Sequence, residues 1–257
     1  STEFSDCAAV SDGGALFFTA VASVLMETVN FTKSSSAAVS RGGCVSGSTV
    51  FGEVRVVNSV FSNCATSGAT AGLFLAFAPA LRLDRTIFRD CHVVGISEDR
   101  PDRGSGGVTA VNVPDVSVVN GLFDSCTTPH FGGGLVWSMF DTTSDPRLRL
   151  QGTTFHRCEA GGFGGAVYAL QAGDVGALDS ETRGAVLRNV TISDCVAHLG
   201  GGGGIAADLV PLELWNSTVR NCEVLDAAAG AGGGVYVTKG SAVLRAGTAL
   251  LSNVAAF

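Results

Sequence analysis

One phrase recurs along the chain: an apolar residue, two polar residues, then cysteine. It reads Phe4-Ser5-Asp6-Cys7, Phe61-Ser62-Asn63-Cys64, Phe88-Arg89-Asp90-Cys91, Phe123-Asp124-Ser125-Cys126 and Phe155-His156-Arg157-Cys158. It continues as Ile192-Ser193-Asp194-Cys195 and Val219-Arg220-Asn221-Cys222, with degenerate copies at Phe31-Thr32-Lys33-Ser34 and Leu250-Leu251-Ser252-Asn253. The intervals between copies are 27, 30, 27, 35, 32, 37, 27 and 31 residues. A phrase repeated at such a period is the mark of stacked structural units, each stable only against its neighbours.

Each unit reads as strands. A segment of alternating residues precedes the phrase, as in Leu81-Arg82-Leu83-Asp84 and Leu148-Arg149-Leu150-Gln151. This is the period-two pattern of a half-buried strand. A turn at Asn or Asp leads into the Phe-x-x-Cys strand, with Phe and Cys as inward candidates. A variable turn then reaches a glycine pair and a third strand, as in Gly106-Gly107-Val108-Thr109-Ala110-Val111 and Gly164-Gly165-Ala166-Val167-Tyr168. Three short strands per unit with no helical stretch predict an all-β chain, a single-stranded parallel β-helix. It has eight to nine coils of 27 to 37 residues over 1–257, forming one domain. At the strand spacing of a sheet, eight coils make a rod ~40 Å long. Like residues then stack as ladders of Phe, Cys and Gly. The right hand follows the strand-twist preference. Corner insertions are expected near 95–105, 141–146 and 171–183, where a solenoid commonly builds its working face. Both ends fall in mid-pattern, as expected of a segment of a longer chain.

The composition excludes several functions. A net charge of −7 with only 16 basic residues, placed singly, opposes nucleic-acid binding. No run of 18 apolar residues predicts a membrane span, so direct membrane insertion by this segment is not expected. With 15 Phe against 2 Tyr and 2 Trp, the aromatics read as core fillers more than as a binding platform.

Seven of the eight cysteines hold one coil position: Cys7, Cys64, Cys91, Cys126, Cys158, Cys195 and Cys222. The eighth, Cys44, lies in a glycine-pair strand. Stacked coils bring Cα atoms within disulfide reach, but in-register side chains keep Cβ atoms apart. A packed row of reduced thiols is the expectation, with bridges between successive coils as the alternative. No CxxC spacing suggests zinc.

Catalytic candidates are sparse. Glycoside cleavage needs two carboxylates on one groove. The recurrent acids Asp6, Asp90 and Asp194 share their slot with Asn63 and Asn221, as a surface turn allows. The acids Asp141, Asp145, Asp174, Asp179 and Glu181 sit in the corner insertions. Asp99 and Asp102 with Arg100 and Arg103 read as a solvated loop. His92, His130, His156 and His198 lie on separate coils without metal-ligand spacing. No cofactor or metal site is expected, and the chain reads as non-catalytic. Three glycosylation triplets begin at Asn30, Asn189 and Asn216. The last two occupy the same turn of the coil.

The Phe-x-x phrase alternating with Gly-Gly-Ala-Leu at 13–16 and Gly-Gly-Ala-Val at 164–167 resembles the repeats of chlamydial polymorphic outer membrane proteins. Phe4, Phe31, Phe61, Phe88, Phe123 and Phe155 match the aromatic position of that family. The resemblance covers nearly the whole chain. It implies a right-handed parallel β-helix on a cell surface, with an adhesive role. The sequence departs at the fourth residue of the phrase, where cysteine replaces the family's asparagine and only Asn253 keeps it. Cys-containing repeats of this kind resemble those of large extracellular proteins of algae and other protists. The expected function is that of a secreted or surface structural module. Its partners would be further domains or subunits of an assembly, or a cell-surface protein or glycan. A polysaccharide-binding or polysaccharide-cleaving β-helix is the alternative.

Overall fold

The computed structural model describes residues 1–37, 41–95, 104–140, 145–172, 184–226 and 232–256. Among these residues all regular structure is β, in four parallel sheets of nine, nine, eight and eight strands. One coil illustrates the rest: Ala80–Asp84, Ile87–Arg89, His92–Val93 and Val108–Val111 each enter a different sheet. Each strand pairs in register with the same strand of the next coil, as Leu81 does with Val116 and Phe88 with Phe123. The chain is therefore a parallel β-solenoid, consistent with right-handed winding. The four sheets are called here alternating, phenylalanine, short and glycine-pair, in the order a coil visits them. The sequence predicts three strands per coil. The fourth is the short strand after each ladder position, such as Ala65–Thr66. Two residues are too few to display a period.

The corners explain the polar slots of the phrase. The residue before the ladder position has φ between 50° and 57° in every coil, from Asp6, Lys33 and Asn63 to Asn221 and Ser252. Asp and Asn enter this left-handed region at the least cost. Arg157 and Lys33 enter it too, so the stacked coils on either side impose the turn more than local preference does. Asp6, Asp90 and Asp194 are such corner residues. A second left-handed corner joins the alternating strand to the phenylalanine strand, at Asn58, Asn120, Asn189 and Asn216 among others.

The core runs along the axis. Phe4, Phe31, Phe61, Phe88, Phe123 and Phe155 stack with centroids 4.6 to 5.1 Å apart. Ile192, Val219 and Leu250 continue the row in register. The rings need room on the facing sheet. A Cβ added to Gly72, Gly107 or Gly134 would stand 2.7 to 2.9 Å from the ring of Phe88, Phe123 or Phe155. Ala166 takes this place on the coil whose successor carries Ile192 instead of Phe.

The cysteine row departs from the expectation at one rung. Cys64 forms a disulfide with Cys44, with Cα atoms 5.5 Å apart. The bridge joins adjacent coils across the core, not neighbours of the row. It forms where the row lacks a thiol, since Ser34 fills that position on the coil carrying Cys44. Cys7, Cys91, Cys126, Cys158, Cys195 and Cys222 are free. The thiols of Cys91, Cys126 and Cys158 each lie 3.6 Å from the carbonyl oxygen of the Phe one coil earlier. Asn253 uses the same slot more fully, donating to Val219 O and accepting from Cys222 N, each at 3.0 Å. Burial pushes the Cys126 and Cys195 thiols well above their usual range, which makes them poor nucleophiles.

Candidate functional site: the outward aromatic face

Period-two alternation turns every second residue of the glycine-pair strands outward. Two apolar clusters result. Phe74, Ala76, Val111 and Phe140 form the first, where Arg41 lies over the Phe74 ring at 5.9 Å. A groove of about 270 Å³ opens beside them. Val136, Tyr168 and Ala206 begin the second, with Phe131, Phe163, Leu170 and Tyr236 packed around them. Val136, Tyr168, Ala206 and Tyr236 are outward residues of successive coils in one register line. Phe131 and Phe163 arrive from the turns ahead of the glycine pairs. Ring centroids are 4.9 Å apart for Phe131 and Tyr168, 6.4 Å for Phe163 and Tyr168, and 5.9 Å for Phe163 and Tyr236. Glycines let the rings lie against the backbone: a Cβ at Gly162 would meet Phe131 at 2.1 Å, and one at Gly201 would meet Tyr236 at 2.6 Å.

This face corrects the reading of the aromatics as core fillers. The Phe row and Trp137 are core, with the Trp137 indole donating to Val113 O at 2.9 Å. Both tyrosines and Phe17, Phe74, Phe131, Phe140 and Phe163 face outward along this sheet, and Phe51 and Phe77 are exposed beside it. The signal was present in the alternation of Val167-Tyr168-Ala169 and Val235-Tyr236-Val237, where the flanking residues are the inward ones. Trp215 is also outward, with Arg188 and Arg245 over its ring at 5.3 and 5.0 Å.

Polar groups pair from coil to coil. Asp124 accepts from Arg157 at 3.0 Å and lies 3.1 Å from His156 Nδ1. The other nitrogen of His156 is 3.6 Å from Asp194. Partial burial works to raise the Asp124 carboxyl, but hydrogen bonds from Arg157 and His156 outweigh it and hold the group below its ordinary value. A hydrogen bond from Asn221 does the same for Asp194. Arg82 spans Glu53 and Asp115, and Arg149 also reaches Asp115. Glu213, nearly buried, accepts from Arg245 at 2.7 Å.

The histidines are distributed as their sequence positions require. His92 pairs with Thr127 at 2.8 Å and His198 with Glu159 at 2.6 Å, while His130 is buried. Glu159, His198, Pro129, Val94 and Leu199 border an open groove of about 580 Å³ along the short sheet. Among the described residues no group of three or more His, Cys, Asp or Glu is placed to hold a metal ion. No described helix is long and apolar enough to cross a membrane. Asn189 and Asn216 are exposed left-handed corner residues, and Asn216 Nδ2 donates to Asn189 Oδ1 at 2.8 Å. Asn30 is half-buried within Val29–Thr32, flanked by Glu3 and Val60. Asp99, Arg100, Asp102, Arg103, Asp141, Asp174, Asp179 and Glu181 lie outside the described residues. Asp145 is described and exposed.

No family model matches the chain, and no curated protein or solved structure matches it significantly.

Proposed function

We propose that this chain is a non-catalytic structural or adhesive module of an extracellular or cell-surface protein. The observation that carries this reading is the unbroken register of four sheets along the chain, bearing an aromatic outward face. Such a stack is stiff, and it presents one surface over several coils. Contacts with protein or glycan on another surface, or with further domains of an assembly, are what that shape serves. The Cys44–Cys64 bridge fits an oxidising compartment. The exposed Asn189 and Asn216 corners fit secretion with glycan attachment. A relationship to chlamydial polymorphic outer membrane proteins, or to a Cys-containing version in algal or protist surface proteins, rests on the repeat phrase. The Asn253 side chain, seated where the thiols sit, supports a common coil plan.

Polysaccharide binding is the second reading, favoured by the aromatic rings of the glycine-pair face. One experiment addresses both. The intact chain, immobilised, is presented to arrayed glycans and to whole cells, and the protein from its native source is mapped by non-reducing peptide mass spectrometry. Cell or glycan binding that disappears with Tyr168→Ala and Tyr236→Ala supports a contact function for this face. Turnover of an oligosaccharide would overturn the non-catalytic reading. Unmodified asparagines together with a reduced Cys44 would overturn the secreted one.

A further inference from the structure

Small residues interrupt the rings along the outward row of the glycine-pair sheet, as Ser46 does between Phe17 and Phe74, and one such rung is lined by rings on three sides. Tyr168 and Tyr236 share a register line with Ala206 between them. Large rings on the outer two coils and a methyl on the middle one leave a gap, which the Phe163 ring, leaning over Gly200 of the middle coil, fills in part. Phe163 lies against both tyrosines, tilted by 36° and 35° to their planes. Two residues along the strand, Asp208 stands in register with Thr238. Phe163, Tyr168, Ala206, Asp208, Tyr236 and Thr238 line the remaining slot, a recess of about 90 Å³. Gly200 and Gly201 permit the closure, since a Cβ on either would stand 2.6 Å from the Phe163 or Tyr236 ring. The Asp208 Oδ1 oxygen is buried and meets no hydrogen-bond donor among the described residues.

These features select a ligand chemistry. A carboxyl oxygen shut away from water without a donor is costly, and positive charge relieves it. Aromatic faces are electron-rich and attract cations. A primary ammonium would bring three N–H donors, more than one carboxyl oxygen and the neighbouring hydroxyls readily satisfy. A methylated ammonium brings charge without that demand, and its methyl groups pack on rings and on Ala206. A sugar ring, with hydroxyls around its edge, needs more hydrogen-bonding partners than three rings and one carboxyl group offer. We propose that the slot is a binding site for a methylated ammonium group, held by Phe163, Tyr168 and Tyr236 with Asp208 as counter-charge. The inference stands whether or not the chain works as an adhesive rod, because its test does not involve cells or glycans.

The test is saturation-transfer NMR and calorimetry on the full chain. The probes are tetramethylammonium chloride, its neutral near-isostere neopentyl alcohol, methyl glucoside, and sodium chloride as an ionic control. Saturable tetramethylammonium binding is expected, weakened about tenfold by Asp208→Asn. It is also expected to be abolished by Ala206→Leu, which fills the slot from an outward position. Circular dichroism and thermal melting establish that each variant is folded. If Ala206→Leu does not fold, Asp208→Asn alone decides. Equal binding of neopentyl alcohol, preference for methyl glucoside, indifference to Asp208→Asn, or no saturable tetramethylammonium binding would each overturn the assignment.

Discussion

Gly134 tests whether ring packing dictates the glycine pairs. A Cβ at this position would stand 2.7 Å from Phe155 Cδ1 and 2.9 Å from Cε1. Ordinary carbon contacts are about 3.5–4.0 Å, so the ring must retreat by roughly 0.8 Å. It has little freedom to do so, because it is fully buried and stacks on Phe123 at 4.6 Å. Gly134→Ala is therefore an overpacking change, expected to cost about 1–3 kcal/mol. Phe155→Ile removes that stacking, worth about 0.5–1.5 kcal/mol, together with some buried surface. Alone it should cost about 2 kcal/mol on the scale of core truncations. The double variant recreates what the chain already uses at Ala166 and Ile192, so it should cost little more than Phe155→Ile by itself. The coupling is then about 1–3 kcal/mol in favour of the pair. Urea unfolding midpoints give the four stabilities. Hydrogen exchange at the Leu135 and Phe155 amides keeps the comparison local should the array unfold in parts. Costs that add to within about 0.5 kcal/mol would refute the steric account. Ala15 and Cys44 occupy the equivalent position on the first two coils. There the coil is half-exposed or the side chain is bonded to Cys64, so they do not pre-empt the result.

Replacing Cys44 and Cys64 together by Ser opens a crosslink between residues 20 apart. Stability should fall by about 3 kcal/mol, read as a melting decrease of about 2–4 °C per kcal/mol; an unchanged melting temperature would show that the bridge contributes nothing. The Asp124 and Asp194 carboxyls lie below their ordinary value in the folded chain, so as pH falls through that ordinary value the unfolded chain binds more protons. Their contribution is full above the unfolded value and is lost as pH falls through the lower folded values. Asp124→Asn should flatten the acid limb of the melting curve against pH, and an identical limb would refute the pairing. Cys126→Asn should be tolerated within about 1 kcal/mol because the slot already suits Asn253. Cys126→Leu, which has no donor and a larger side chain, should cost about 1–3 kcal/mol; urea midpoints that rank the two in the opposite order would count against the shared slot.

The fold was legible because its determinants are local and repeated. A Phe three residues before a Cys, and a glycine pair after it, report the same corner on every coil. The short strand left no pattern to read. The Cys44–Cys64 bridge was hidden for another reason. Spacing arguments compare residues at one coil position, whereas these two lie at different corners, Cys64 just before the short strand and Cys44 just before the glycine-pair strand. Ser34, the missing thiol, was the only hint. The outward aromatics were misassigned because residue counts do not distinguish the faces of a strand. Reading Tyr168 and Tyr236 by alternation would have placed them outside. The Ala206 gap and the unpaired Asp208 oxygen appear only once three coils are stacked.

The unequal intervals indicate which face is free to vary. From Met26 to Phe31 through Leu214 to Val219, the last inward residue of the alternating strand lies five residues before the ladder ring position. That position is three residues before Cys or its substitute throughout. All marked variation falls on the two corners that border the glycine-pair sheet. On the last coil the corner between the alternating and phenylalanine strands takes one extra residue, six from Leu244 to Leu250, in a turn at Gly247 that keeps Leu250 in register with Val219. On the buried coils it is a single left-handed residue, whereas the glycine-pair sheet is entered and left through loops of unequal length. Two Gly-Ser residues inserted after Val94 should therefore change stability by less than about 1 kcal/mol, since lengthening a loop costs only about 0.6 kcal/mol per doubling. The same insertion after Asn120 should displace Phe123 from between Phe88 and Phe155 and cost at least about 3 kcal/mol, as losing a buried ring does. Equal tolerance at both sites, measured by urea midpoint, would mean that the ring stack does not fix the corner. Unequal tolerance would explain why the tyrosine face and the ammonium slot lie on the glycine-pair sheet, the sheet whose borders vary most in length.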